Sequence, residues 1–265
     1  MLFSVITINY NNSEGLRQTI GSVVSQTFHD YEYIIIDGGS TDESINVIES
    51  FSDKIDYWVS EKDRGIYHAM NKGVAHAYGE YCLFMNSGDC FYNRQVLSHF
   101  FESHANEDVV VGKVAIDDAN HIISPPPQNE FTMYHLYSGS IPHQGSFIRT
   151  KLLKQFPYDE ELKISSDWKF FVQTLIFHDC SIRYIDDFVA RYDTGGIGLS
   201  HPELMNSEKK EYLEEVLPPR IIRDYELMKE SECLTQSLTP LLRKNYIIDK
   251  VLYKLGRFLL KLKRI

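Results

Sequence analysis

Four aspartates stand where a carboxylate can do chemistry. Asp37, Asp63 and Asp89 lie in the segments that follow short apolar runs of strand character, and Asp167 opens an amphipathic stretch with helical spacing. Turns favour Asp, so any single loop aspartate has a plain explanation. Three at the ends of successive strands would crowd like charges on one sheet edge, which calls for a purpose. Carboxylates of this kind suit hard divalent cations, which take oxygen ligands. A single carboxylate beside a reacting hydroxyl suits general-base catalysis. Asp167 fits that second role, although an aspartate in a helix's first turn also serves as a simple cap, which would stabilise the anion and lower its basicity. His143 follows a proline and has a structural reading as well as a functional one. Neither G-x-x-x-x-G-K-[ST] nor a post-strand G-x-G-x-x-G occurs, so no P-loop or dinucleotide fold is supported.

The elements that must hold these residues alternate. Strand patterns cover Phe3 to Asn9, Tyr31 to Ile36, Tyr57 to Ser60 and Tyr81 to Met85. Between them, Leu16, Ile20 and Val23, then Ile45, Ile48 and Phe51, then Ile66, Ala69, Met70, Gly73, Val74 and Ala77 recur at helical spacing. Ser40-Thr41-Asp42-Glu43 fits a capping box for the second helix. Strand–helix alternation predicts a mostly parallel sheet covered on both faces, with ligands beyond the carboxyl ends of its strands. Lys72 and His76 are expected on a solvated helix face. From Pro202 to Cys233 the chain reads as charged helix, broken at Pro218-Pro219.

Composition narrows the class. With 43% apolar and 24% charged residues the 265-residue chain reads as globular, and its net charge of -10 argues against nucleic acid as a partner. The four cysteines form no C-x-x-C pair. The first residues lack a basic n-region and no apolar run reaches the ~18 residues of a membrane span, so neither a signal peptide nor a transmembrane helix is expected. From Arg243 to Ile265 eight basic residues face Asp249 alone, and Ile247, Val251, Leu255, Phe258 and Leu262 fall on one helical face. A basic amphipathic helix suits a membrane interface; packing on the domain or a homodimer contact is the rival reading.

Ser4-Val5-Ile6-Thr7-Ile8-Asn9-Tyr10-Asn11, Ser25-Gln26-Thr27-Phe28, Ile36-Asp37-Gly38-Gly39-Ser40-Thr41-Asp42 and Gly79-Glu80-Tyr81 resemble the family-2 glycosyltransferases of the GT-A fold. Asp63-Arg64-Gly65-Ile66-Tyr67-His68-Ala69-Met70-Asn71-Lys72-Gly73 and Asn86-Ser87-Gly88-Asp89 are similar to the branch that builds bacterial O-antigen and capsular polysaccharide. The resemblance implies an α/β GT-A domain over residues 1–200 and a helical region over 201–265 ending in the basic tail 243–265. It implies that Asp37 receives the uracil or ribose and that Tyr10 flanks the base. Asp63 and Arg64 would close over the nucleotide, and Ile8, Ser87 and Gly88 would complete the donor side. It assigns Asp89 to a Mn2+ or Mg2+ ion, Asp167 to the general base, and His143, Gln144 and Trp168 to the acceptor side. Family members often carry two adjacent acids at the metal site. Gly88 takes the first of those places here. Members often show a histidine, a further metal ligand, shortly before the last glycine- or serine-rich loop; Asp193 fits that place and its carboxylate would restore the charge, with His201 a weaker substitute.

The expected activity is transfer of a hexose from a nucleotide-sugar, UDP-linked, with inversion, to a polyprenyl-diphosphate-linked sugar at the cytoplasmic face of the cell membrane. The departing diphosphate needs its charge neutralised, and a cation held by one or two protein carboxylates suffices because phosphates and waters supply its other ligands. Two rivals stand beside this reading. A nucleotidyltransferase would need a glycine-rich basic loop after the first strand, where Asn9-Tyr10-Asn11-Asn12 stands. A non-catalytic binding protein that has lost its metal site is favoured by Gly88 alone.

Overall fold

A computed structural model of the chain describes residues 1–116, 121–124, 131–193 and 201–243, with side chains as far as residue 235. The chain divides into two compact units, Met1–Tyr212 and Leu213–Ile265.

The first unit is built on a nine-stranded sheet. Strands β1 (Phe3–Asn9), β2 (Tyr31–Asp37), β3 (Tyr57–Ser60) and β4 (Tyr81–Phe84) are parallel, in the order β3-β2-β1-β4. Every residue of β1 and β4 is buried, as expected of strands covered on both faces. Helices α1 (Ser13–Val24), α2 (Ser44–Ser50) and α3 (Ile66–His76) link them. Helix α3 lies so close to β1 that a Cβ on Gly73 would overlap Ile6. The anticipated apolar face of α3, from Ala69 to Ala77, is buried. The expected capping box at the start of α2 is absent: Glu43 is the N-cap and makes no side-chain cap bond, while Ser40 donates its hydroxyl to Asp37.

Beyond β4 the sheet continues through strands that local periodicity did not reveal. β5 (Cys90–Phe91) precedes α4 (Val96–Glu102), β6 (Val109–Ile116) and β7 (His121–Ile123). Then follow α5 (Met133–Ser138), β8 (Ser146–Arg149), α6 (Thr150–Gln155) and α7 (Ser166–Phe171), the last running into a π-helical turn over Val172–Phe177. β9 (Ile182–Tyr192) completes the order β4-β8-β6-β9-β5, with β8 antiparallel to both its neighbours and β6 parallel to β9. Helix α8 (Pro202–Val216) starts in the first unit, and α9 (Pro219–Arg243) belongs to the second. The break between them falls at Pro218-Pro219, as expected. Among the described residues no helix is long and apolar enough to cross a membrane. Of the basic tail 243–265, residues 244–265 lie outside the described part.

Candidate active site

The carboxyl ends of β1, β2 and β3 are in register, so Asn9, Asp37 and Ser60 sit side by side. Their side chains therefore meet. Asp37 Oδ1 accepts from Asn9 Nδ2 at 2.7 Å and Ser40 Oγ at 2.6 Å; Oδ2 accepts from Ser60 Oγ at 2.6 Å and from the Ser40 and Gly39 amides at 2.9 and 3.2 Å. Burial pushes this carboxyl up, but the bonds from Ser40, Ser60 and Asn9 outweigh it and hold the pKa below its ordinary value. Asp37 is 0% exposed. Expected to receive the nucleoside, it instead has both oxygens occupied by the protein, and it shapes the loop that follows β2.

The carboxylate left with an unoccupied oxygen is Asp63. Its Oδ1 meets His68 Nδ1 at 3.0 Å and Lys72 Nζ at 2.7 Å, while Oδ2 is buried without a partner. A buried acceptor in that state is costly unless something supplies a donor. A Cβ on Gly38 would lie 3.4 Å from this oxygen and 3.3 Å from the Tyr10 ring, so the three residues border one spot. Tyr10 is 67% exposed, an aromatic face held in solvent. Lys72 also pairs with Glu61 at 2.8 Å. The helix face expected to be solvated thus delivers a cation to Asp63. His76, from the same face, stacks on Tyr57 with ring centroids 3.9 Å apart. Arg64 extends to Glu160, and the Ile8 carbonyl accepts the Ser87 amide at 3.0 Å, so Ile8 and Ser87 join β1 to the loop after β4 through main chain.

That loop carries Gly88 and Asp89. Gly88 has φ of +107°, which disfavours a side chain, and a Cβ there would overlap Asp193 Oδ2. The glycine is explained by its neighbour: the carboxylate of Asp193, from the end of β9, fills the space a side chain at 88 would take. The Asp193 amide donates to Asp89 Oδ1 at 2.9 Å, which locks the two segments together. Asp89 is 4% exposed. Burial pushes its carboxyl up to about 6, against the pull of the Asp193 amide, His143 and Gln144, and the charge of Asp193 adds to the rise. The two neighbouring carboxylates, Asp89 and Asp193, would fit a hard divalent cation, which takes oxygen ligands and needs few of them from the protein. Among the described residues no group of three or more His, Cys, Asp or Glu side chains forms a fuller metal cage. Gln144, expected on the acceptor side, is buried and lies close enough to Asp89 to help hold its carboxyl down.

A third cluster gathers around Asp167. Its Oδ2 is 3.1 Å from His143 Nδ1, and its Oδ1 accepts from the Tyr67 hydroxyl at 3.0 Å. Burial works against the charge on both partners, but their pairing wins: the Asp167 pKa is held down and that of His143 is held up, with Asp89 contributing to the latter. His143 Nε2 lies 3.3 Å from Asn86 Nδ2, while the buried Asn86 Oδ1 has no partner. Exchanging the two ends of that amide places Oδ1 against an Nε2–H, the arrangement a protonated His143 requires. Trp168 departs from its expected place on the acceptor side. It is 1% exposed and its indole donates to the Leu136 carbonyl at 2.7 Å, so it anchors α7 from within.

Sequence reasoning missed Tyr67, His68 and Lys72 as site residues, although all three lie inside a motif it quoted. On α3, Tyr67 and Asn71 form one i, i+4 row and His68 and Lys72 the next. The first row serves Asp167 and the 158–160 segment, the second serves Asp63.

The model of the family "Glycosyl transferase family 2" matches residues 4–161. An uncharacterized glycosyltransferase of Mycobacterium tuberculosis is 32% identical over 210 residues, 76% of this chain and 78% of that protein. A PGL/p-HBAD biosynthesis glycosyltransferase of Mycobacterium bovis is 30% identical over 208 residues, 76% of this chain and 79% of that protein. Among solved structures, residues 1–349 of S. aureus TarS in complex with UDP superpose with a TM-score of 0.60 at 24% identity, over 72% of this chain and 60% of that one. This chain therefore spans less than two thirds of that fragment. A mannosyltransferase from Pyrobaculum calidifontis in complex with GDP-Man and Mn2+ superposes with a TM-score of 0.60 at 14% identity, over 97% of this chain and 79% of that one.

Proposed function

The chain belongs to glycosyl transferase family 2 and has a GT-A-like α/β fold, and from that premise we propose that it moves a hexose from a UDP-sugar, with inversion, to a polyprenyl-diphosphate-linked sugar in bacterial surface-polysaccharide assembly of the O-antigen or capsule type, working at the cytoplasmic face of the membrane. The observation that carries this reading is the gathering of three clusters: Asp63 with Tyr10, Asp89 with Asp193, and Asp167 with His143, the last joined to the first through α3 and to the second through the contact of His143 with Asn86. A nucleotide-sugar and its acceptor call for three such places, for base, diphosphate and reacting hydroxyl.

Uracil meets the first cluster with the N–H donor that Asp63 Oδ2 lacks, beside the Tyr10 ring. The UDP complex of TarS supports that choice of nucleotide. Asp89 and Asp193 would hold Mn2+ or Mg2+, and such an ion, when bound, neutralises charge on the diphosphate. Asp167 takes the proton of the acceptor hydroxyl as that oxygen bonds to the anomeric carbon from the face opposite the diphosphate. The carbon–oxygen bond to the diphosphate breaks, and its electron pair leaves with UDP. His143 and Tyr67 hold the carboxylate in place for this step; they also stabilise the anion, so Asp167 is a weak base whose effect comes from position.

Thermal shift with UDP- and GDP-sugars, followed by assay of nucleoside diphosphate release with and without Mn2+, tests the reading. The largest shift is expected with a UDP-sugar, and release is expected only with metal. Asp167→Asn should keep donor binding and lower turnover by about 10²-fold or more. A GDP-sugar preference, metal-independent release or full turnover by Asp167→Asn would each remove the corresponding part.

A further inference from the structure

Helix α7 carries Asp167 one residue past its start, yet its N-cap, Ser165, makes no side-chain cap bond. The three amides leading into the helix are bound from elsewhere. Glu208 of α8, 8% exposed, accepts the Lys163 amide on Oε1 at 2.7 Å and the Ile164 and Ser165 amides on Oε2 at 3.1 and 3.0 Å. Neighbours on the same face of α8 extend the grip. The Met205 carbonyl accepts from Ser165 Oγ at 3.3 Å, and Lys209 Nζ donates to the Gly139 carbonyl at 3.1 Å while lying 5.2 Å from the Trp168 ring centre. Tyr212 packs edge-on against Trp168 at 5.9 Å. Positions 205, 208, 209 and 212 form one helical stripe, and all of it addresses the segment from 163 to 168.

We infer that Glu208 is a positioning residue for the transfer reaction: by collecting three main-chain amides on one carboxylate it sets the height and rotation of α7, and so the place of Asp167 against His143 and Tyr67. This rests on the reading of Asp167 as the general base. The reach of the effect follows from two facts. Charge-assisted bonds to a carboxylate are stronger than neutral ones. Removing the carboxylate leaves one buried amide, that of Ser165, and two part-buried ones without an acceptor, which the loop relieves by moving. A displacement of about 1 Å in a catalytic group is enough to cost on the order of 10²-fold in rate.

The experiment is a double-mutant cycle on the full chain, with Glu208→Ala, Asp167→Asn and the pair. Nucleoside diphosphate release is measured with water as acceptor and the UDP-sugar of largest thermal shift as donor, and hydrogen exchange is followed over residues 163–168. Glu208→Ala should lower kcat roughly 10- to 100-fold with donor KM changed by less than about 2-fold, speed exchange at 163–168, and cause no further loss in the Asp167→Asn background. Glu208→Gln, which keeps one acceptor oxygen, should fall between Ala and wild type, and it carries the same cycle if the alanine variant does not fold. Wild-type kcat in the Glu208 variants, or an equal fractional loss with and without Asp167, overturns the inference while leaving Asp167 as the base. Wild-type turnover by Asp167→Asn overturns the reading on which it rests.

Discussion

At the scale of single residues, the carboxylates divide by what already occupies them. Asp37 is saturated by the protein, Asp63 has one oxygen to give, and Asp89 is an acid pushed up to about 6 by burial with Asp193 beside it. The last point has a pH signature. A carboxyl raised from 3.8 to about 6 in the folded state binds more protons than in the unfolded state between those values. Stability is therefore lost as pH rises through that window, and the metal-free protein carries the cost above it, roughly 3 kcal/mol. Asp89→Asn should raise the metal-free Tm at pH 7.5, leave it nearly unchanged at pH 4, and remove both the Mn2+-induced shift and metal-dependent release. A mutant with an intact Mn2+ response would show that Asp89 is not a ligand. Asp63→Ala should weaken UDP binding by about 1–3 kcal/mol, the range for a buried hydrogen bond to a charged group, read by calorimetry. Unchanged affinity would move the base elsewhere.

At the scale of elements, two devices bring the clusters together. Helix α3 joins the Asp63 cluster to the Asp167 cluster, because adjacent i, i+4 rows address the two carboxylates. The meeting of the 86–89 turn with the end of β9 makes the carboxylate pair, and it depends on Gly88 having no side chain. Gly88→Ala puts a Cβ into Asp193 at a φ that L-residues avoid. It should cost about 1–3 kcal/mol of stability and reduce the Mn2+-induced thermal shift although both carboxylates remain. A full Mn2+ shift in this variant would show that Asp193 is not needed. The plain reading of Gly88, a lost metal ligand, rested on the sequence neighbour; the compensating acid comes from just past the end of β9, 104 positions from Asp89.

At the scale of the molecule, the first unit contains all three clusters, and the basic tail stands apart from them in the chain. An acceptor on a lipid carrier stays at the bilayer surface, where an amphipathic cationic helix would hold the enzyme. Vesicle flotation of the full chain and of one ending before Arg243 tests this proposal. The full chain should bind vesicles containing anionic lipid and release partly at 1 M salt, where the Debye length is ~3 Å; the shortened chain should not float. Equal flotation of both would assign the tail to packing or to a dimer contact.

What the sequence by itself determined is local. The four parallel strands, the buried face of α3, the Pro218-Pro219 break and the positions of Asp37, Asp63, Asp89 and Asp167 at element ends follow from periodicity and turn chemistry, which report only the nearest few residues. The motif from Asp63 to Gly73 was legible as a motif, and its periodicity showed which side packs inward. It did not show what Tyr67, His68 and Lys72 reach on the other side. Those partners depend on packing between distant segments, and tertiary structure alone decided them. Register between β1, β2 and β3 filled Asp37, while Asp63, in the loop beyond β3, kept a buried oxygen without a partner. Packing turned Trp168 inward, since a buried indole goes where its hydrogen bond can be met, and it buried Gln144 beside Asp89. The short strands β5 and β8 and the long β9 carry no pattern strong enough to read alone, because their neighbours in the sheet, not their own alternation, make them strands.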